Sequence, residues 1–443
     1  MRHVVIIGNG VAGITAARSI RKLSDYRITV ISGESAYFFS RTALMYVYMG
    51  QMTFEHLRPY ENGFWQENRI NLLQAWVSSV DFGKKEVILE EGEPVPYDRL
   101  ILATGSNYAT AGWPGQDLEG VQGLYHLQDL EKMEETTRRA KQAVIVGGGL
   151  IGVEMAEMLA TRGIGVKFLV REQHYWDIVL TEKESCLIER HIRSKDVDLR
   201  LGTGLKEIES DGAGRVAAVV TTEGERMTCD FVGLTIGVSP NVRFLDPGTI
   251  EIQRGILVDE YLRTSVPDVF AIGDCAELRH PATGRRSLEP VWYTGRMMGE
   301  TVAKTVCGDT TRYEQGIWFN SAKFFDIEYQ TYGRVDPTPR EGEVHFFWES
   351  ADGKHSVTIA YEEKSMVVLG MNALGIRMRQ EVWINWIENM NKLEAVVAAL
   401  HQACFDPEFY RPFDMAIQQK FNTEFPWMKV PVRKQTFWER LLS

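Results

Sequence analysis

The chain reads as an α/β protein with two Rossmann-like dinucleotide-binding domains and a C-terminal α+β region, and three observations predict it. Two copies of one glycine fingerprint, Gly8-Asn9-Gly10-Val11-Ala12-Gly13 and Gly147-Gly148-Gly149-Leu150-Ile151-Gly152, each leave a β-branched run and open a helical pattern. Each copy begins an alternation of strands and helices. Beyond residue 310 that order gives way to aromatic, alternating segments.

The runs Val4-Val5-Ile6-Ile7 and Ala143-Val144-Ile145-Val146 suit strands buried on both faces of a parallel sheet. In each fingerprint the first glycine (Gly8, Gly147) allows a tight turn. The second (Gly10, Gly149) lets backbone N–H groups approach a pyrophosphate, and the third (Gly13, Gly152) lets helix and strand pack closely. The positive end of the helix dipole adds to the attraction. Two such turns in one chain point to two dinucleotide cofactors that exchange electrons.

The first unit continues through a helix over about 12 to 23, a strand Arg27-Ile28-Thr29-Val30-Ile31 and a later strand Leu100-Ile101-Leu102-Ala103. A connection carrying Gly112, Gly115, Gly120 and Gly123 follows, and the same order restarts at Ala143 and runs to about residue 240, as a unit inserted into the first. Past residue 310, Lys323 to Tyr329, Val344 to Trp348 and Val357 to Tyr361 alternate as antiparallel strands do, and a helical period runs from about 379 to 402.

A net charge of −11 argues against nucleic-acid binding, which needs a basic face. No segment approaches the ~20 apolar residues of a membrane span. Met1-Arg2-His3 leads directly into the first strand, so a cytoplasmic location is expected. The five cysteines (Cys186, Cys229, Cys275, Cys307, Cys404) are scattered, which excludes a disulfide framework, a zinc site of the usual spacing and a local redox pair, and no metal is expected.

An acidic residue about 20 positions past the glycine turn takes the adenosine ribose hydroxyls in such folds. Glu34 lies 21 positions past Gly13 and fills that position here, with a solvated loop carboxylate as the alternative. In the second unit Val170 is followed by Arg171 and Glu172. Arg171 suits a 2′-phosphate and hence NADPH, while Glu172 keeps NADH open.

Two further segments, Tyr97-Asp98-Arg99-Leu100-Ile101-Leu102-Ala103-Thr104-Gly105-Ser106 and Thr264 to Asp274 ending in Phe270-Ala271-Ile272-Gly273-Asp274, match signatures of flavoproteins with two dinucleotide-binding domains. On these four ordered motifs, over about residues 1 to 312, the chain resembles the FAD-dependent pyridine-nucleotide-disulfide oxidoreductase superfamily. The resemblance implies the three-layer ββα form of the fold. It also implies that Asp274, after Gly273, holds the ribityl chain of FAD, that Thr104 and Gly105 approach FAD, and that the backbone of Val77 contacts adenine. Glu154, on the helix after the second turn, is implied to face the nicotinamide, with Gly237 of Gly237-Val238-Ser239-Pro240-Asn241 beside that ring.

The members that reduce disulfides, and the oxidases and peroxidases with a single cysteine, carry thiols just after the first unit. Here that stretch reads Ala36-Tyr37-Phe38-Phe39-Ser40-Arg41-Thr42-Ala43-Leu44, with Arg41 where the cysteine falls. Arg41 instead resembles the arginine of the rubredoxin-, ferredoxin- and nitrite-reductase-like branch, where a guanidinium suits a pyrophosphate or a cofactor edge. Cys275 reads as a small buried hydrophobe, and His401 as a structural histidine. Lys323 to Gly333, Val367 to Gly375 and Asp406 to Pro412 resemble the superfamily's interface domain.

The expected layout is therefore an FAD-binding domain over 1–110 and 241–312, an NAD(P)-binding domain over 111–240, an interface domain over 313–414 that makes a homodimer, and a tail over 415–443. In the tail Lys429, Arg433, Lys434 and Arg440 accompany Phe437, Trp438, Leu441 and Leu442, spaced as one helical face, which suits a peripheral membrane surface, another subunit or the protein's own interface domain. The expected function is an NAD(P)H oxidoreductase that passes electrons through FAD to an external redox protein of iron–sulfur or rubredoxin type. A quinone- or oxygen-reducing NADH dehydrogenase or oxidase, and an FAD-bound redox-responsive interaction module, are the alternatives.

Overall fold

The structure, a computed structural model, describes residues 1–405 and 413–432. The chain folds into two compact units, one comprising Met1–Val146, Thr161–Ile164 and Leu205–Gln315, the other Gly147–Ala160, Gly165–Gly204 and the chain from Gly316 onward.

The first unit is built on a five-stranded parallel sheet in the order Val269–Ala271, Arg99–Leu102, His3–Ile7, Arg27–Ser32 and Ile70–Gln74. Val4, Val5, Ile6, Leu100, Ile101 and Leu102 are wholly buried, as a sheet covered on both faces requires. The strand after the insertion, Val269–Ala271, lies beside Arg99–Leu102, and so the segment ending at Asp274 returns to the first glycine turn. The helix Val11–Leu23 packs on Trp292–Cys307, and a Cβ on Gly299 would stand 2.6 Å from the Ala12 carbonyl oxygen. Small residues at that crossing therefore set how near the two helices come. The same unit holds Gln142–Val146 paired in parallel with Phe231–Leu234, and that strand with Val121–Gln122.

In the second unit Gly165–Leu169 pairs in parallel with Asp198–Arg200, and the helix Glu182–Arg193 begins at a capping box in which the Thr181 hydroxyl accepts from the Glu184 N–H. A five-stranded antiparallel sheet follows, in the order Phe319–Phe324, Ile327–Gly333, Val368–Leu374, Ser356–Glu362 and Glu343–Glu349. Helices contribute Trp383, Leu393, Val396, Ile417 and Phe421 to its core, packed with Phe346, Ile359 and Met371.

Two local expectations are corrected. Lys323 to Tyr329 is a hairpin rather than one strand: Phe324 pairs with Ile327, and Phe325 takes φ +55°, the left-handed geometry that a two-residue turn demands. The helical period over 379 to 402 is split into Gln380–Glu388, Leu393–Ala398 and a 3₁₀ turn Leu400–Ala403. Met390 there has φ +51°, and the Asn391 carbonyl accepts the Val368 N–H from the sheet instead of a helical donor. Asp414–Glu424 is helical, and Phe421 is wholly buried. Asp406 to Pro412 and the tail residues Arg433, Lys434, Phe437, Trp438, Arg440, Leu441 and Leu442 lie outside the described residues.

Candidate dinucleotide and active site

The strand His3–Ile7 delivers the chain to Gly8, whose φ of +109° and whose close neighbour, the Ala103 carbonyl oxygen at 2.1 Å from a would-be Cβ, leave room only for glycine. A Cβ on Gly13 would meet the Gly8 carbonyl oxygen at 2.0 Å. Gly10 differs, since a Cβ there would meet nothing within 4 Å and would project into open space. That space is a cavity of about 310 Å³, lined by Gly8, Gly10, Val11, Glu34, Arg41, Trp76, Val77, Thr104, Gly105, Tyr125, Gly273 and Asp274 among others. Open space over the middle glycine, at the start of Val11–Leu23 with no side-chain cap on its N–H groups, is the cradle a pyrophosphate needs. The residues present thus fit FAD.

Glu34 follows the second strand and is largely buried, with 10% of its side chain exposed. Arg41 grips it bidentately, Nη1 to Oε1 at 2.7 Å and Nη2 to Oε2 at 2.6 Å, and the Leu127 N–H donates to Oε1 at 2.9 Å. Burial disfavours the charged carboxylate, but donation from His126 and Arg41 and the Arg41 charge prevail and hold Glu34 at about 2. Arg41 carries most of this effect, because His126 Nδ1 stands 3.6 Å away, beyond a good hydrogen bond. The same guanidinium lies 4.7 Å over the Tyr125 ring and donates to the Tyr125 carbonyl at 2.5 Å. Tyr125 in turn donates its hydroxyl to Asp274 Oδ2 at 3.0 Å. Burial raises Asp274 despite that bond and the nearby Arg41.

The fold thus brings together seven separate stretches of sequence: the glycine turn, Glu34, Arg41, Trp76-Val77, Thr104-Gly105, Tyr125 and Gly273-Asp274. Thr104 donates its hydroxyl to the Asn241 carbonyl at 2.7 Å, which ties the wall to the returning chain. None of the lining residues is a cysteine. Cys275 is wholly buried and its thiol donates to the Leu102 and Ile272 carbonyls at 3.4 and 3.3 Å. Sequence reasoning missed Asn9, Trp76 and Tyr125. Asn9 donates to the Ser35 carbonyl at 2.9 Å and accepts from the Ser32 hydroxyl at 3.0 Å, so the glycine turn itself braces the segment bearing Glu34. The Trp76 ring lies across Gly33, where a Cβ would be 2.1 Å from it. Tyr125 had no spacing signal, whereas a tryptophan next to Val77 was a visible one.

The second fingerprint begins at Gly147, with φ +114°, whose N–H donates to the Leu169 carbonyl at 3.0 Å. Glu154 sits one turn into the following helix; burial and the charge of Glu157 outweigh the pull of Lys323 and push it up to about 7. Lys323 is engaged by Glu157 at 2.8 Å. Tyr175 donates to the Gly149 carbonyl at 3.3 Å. Arg171 is exposed and pairs with Glu172 at 2.9 Å. Gly237, in the first unit, has φ +119° and open space at its Cβ position. His401 is exposed.

The fold and these glycine turns define an FAD-dependent NAD(P)H oxidoreductase. The sequence profile of the family described as pyridine nucleotide-disulphide oxidoreductase matches residues 2–299, and the chain belongs to that family. It is 30% identical over 314 residues to a rubredoxin-NAD(+) reductase of Pseudomonas putida, covering 70% of this chain and 80% of that one. It is 28% identical over 352 residues to the nitrite reductase [NAD(P)H] of Bacillus subtilis, covering 79% of this chain but only 43% of that longer protein. Among solved structures, the ferredoxin reductase for the CYP199A2 system of Rhodopseudomonas palustris superimposes with a TM-score of 0.77 at 25% identity, covering 85% of this chain and 91% of that one. An NAD-dependent persulfide reductase from A. fulgidus gives 0.82 at 25% identity, covering 96% and 84%. No described helix is long and apolar enough to cross a membrane.

Proposed function

We propose that the chain takes electrons from NADH or NADPH and delivers them, through FAD held by the first glycine turn, to a separate iron–sulfur or rubredoxin-type protein. The observation that carries this reading is Arg41, with Glu34 and Tyr125, in the wall where other branches place a thiol. FAD supplies the two-electron to one-electron conversion. Gly8, Gly10 and Gly13 hold its pyrophosphate against the helix start, Glu34 the adenosine ribose, Asp274 after Gly273 the ribityl chain, with Thr104, Gly105 and Val77 along the wall. On the nicotinamide side, Gly147, Gly149 and Gly152 cradle the dinucleotide, Arg171 and Glu172 meet its ribose, and Glu154 faces the ring. The names of the relatives, a rubredoxin reductase and a ferredoxin reductase component of a biphenyl dioxygenase system, support the acceptor class. The same reading takes 1–110 with 241–312 as the FAD domain, 111–240 as the nicotinamide domain and 313–414 as the region that pairs two copies in the cytoplasm.

Stopped-flow reduction of the holoprotein tests it. NADH or NADPH should bleach the flavin within a turnover, and a rubredoxin or a [2Fe–2S] ferredoxin added next should reoxidise it faster than dioxygen, menadione or 5,5′-dithiobis(2-nitrobenzoate). Faster reaction with menadione or dioxygen would transfer the assignment to a quinone reductase or oxidase. No bleaching would remove the oxidoreductase reading.

A further inference from the structure

Outside the cavity, one cluster in the second unit joins three unlike donors: the imidazole of His174, the thiol of Cys186 and the carboxylate of Glu189, with one donor atom from each lying within 4.8 Å of the other two. Among the described residues no other group of three or more such side chains comes this close. The fold produces it in two moves. Cys186 and Glu189 stand three positions apart on the helix Glu182–Arg193, hence on one face, and His174 comes from the segment that follows the strand Gly165–Leu169. Glu189 is buried and already aimed, because its Oε1 accepts the Tyr175 N–H at 2.9 Å and stands 3.3 Å from His174 Nδ1. His174 and Cys186 are partly exposed, which leaves a path from solvent.

We propose that His174, Cys186 and Glu189 form a binding site for a thiophilic divalent cation, with Zn²⁺ as the fitting ion and a water molecule in the fourth position. Nitrogen, sulfur and carboxylate oxygen are the donors that zinc takes, in a tetrahedron whose ligand atoms lie closer together than the present spread allows, so modest side-chain rotation completes it. One thiolate and one carboxylate balance the 2+ charge, and entry of the ion releases one proton, that of the Cys186 thiol, to solvent. Arg193 Nη1 stands 3.8 Å from Glu189 Oε2 and competes for the carboxylate. That competition favours an ion held firmly by sulfur and nitrogen over Mg²⁺ or Ca²⁺, which need oxygen donors. The segment carrying His174 begins at Arg171, so a bound ion would also pin that segment to the helix Glu182–Arg193.

The experiment is native mass spectrometry and Zn K-edge X-ray absorption on the full-length holoprotein titrated with Zn²⁺ alone. Expected is one Zn²⁺ per chain, with one sulfur at about 2.3 Å and nitrogen or oxygen ligands at about 2.0–2.2 Å. Cys186→Ser should remove the sulfur scatterer, and Cys186→Ser and His174→Ala should each weaken binding by at least the roughly 10–100-fold that loss of a supporting group costs. Cys404→Ser should bind Zn²⁺ as the wild type does. Both altered ligands are partly exposed, and circular dichroism checks that the variants fold. Absence of Zn²⁺ binding in the micromolar range, or a sulfur signal that survives in Cys186→Ser, would overturn the proposal. So would loss of binding in Cys404→Ser.

Discussion

Glu34→Gln in the FAD-free protein probes the charged pair in the cavity wall. The carboxyl lies at about 2 against an ordinary 4.5. At roughly 1.4 kcal/mol per pH unit, this depression is worth about 3 kcal/mol to the folded state. That figure is an upper estimate, since the glutamine oxygen still accepts from Arg41 and the variant should lose about 1–3 kcal/mol at pH 7. Because the folded-state value is depressed, the stabilisation is fully present above about pH 4.5 and is lost as pH falls toward 2. By about pH 3 the contribution is less than half its neutral value, so the gap between wild type and variant must narrow. Urea unfolding of both apoproteins at pH 7 and pH 3, followed by tryptophan fluorescence, gives the comparison. Equal midpoints at pH 7, or a gap that does not change with pH, would refute a buried, ionised Glu34–Arg41 pair.

Gly10→Val should leave the apoprotein melting temperature unchanged and weaken FAD binding by at least about tenfold, whereas Gly8→Ala should lower that temperature by several degrees, because only Gly8 has its Cβ position blocked by backbone; calorimetry and flavin titration distinguish the two. Trp76→Ala should weaken FAD and ADP but not FMN, by the ~1–3 kcal/mol of a base stacked on an aromatic ring, measured by equilibrium titration; equal loss for FMN would place the tryptophan elsewhere. Glu154→Gln should stabilise the protein at pH 8 and not at pH 4, since a carboxyl raised to about 7 costs stability only as pH climbs past the value at which the unfolded chain ionises; denaturant midpoints at the two pH values read this directly. Arg171→Ala should weaken NADPH about tenfold relative to NADH in a flavin-bleaching titration, and an unchanged ratio would remove Arg171 from the phosphate site.

The limits of sequence reading fall at identifiable residues. Lys323 to Tyr329 alternates as a strand does, yet pairing with the neighbouring strand bends it at Phe325. The helical period past 379 breaks where the sheet claims the Asn391 carbonyl. The first break is a two-residue turn inside the hairpin itself, and only in the second does a hydrogen bond from a distant segment override a local pattern. His174, Cys186 and Glu189 carry no recognisable metal spacing, because two come from a helix and one from a preceding loop.

The pair of glycine turns was wholly legible in the amino-acid order. Their sequence signal is local: a strand end, a left-handed glycine and a helix start lie within about six residues, and the distant Ala103 carbonyl beside Gly8 reinforces a glycine that the local pattern already names. That the stretch Ala36 to Leu44 carries Arg41 and no cysteine was equally plain. The electrostatic state of that site, by contrast, came only with folding. Glu34 and Arg41 are seven residues apart, but their charges are held by Leu127, Tyr125 and Asp274, which parallel strand pairing and the returning chain bring to the same wall. A sequence names groups that are able to ionise; burial and the partners brought by folding fix which of them carry charge.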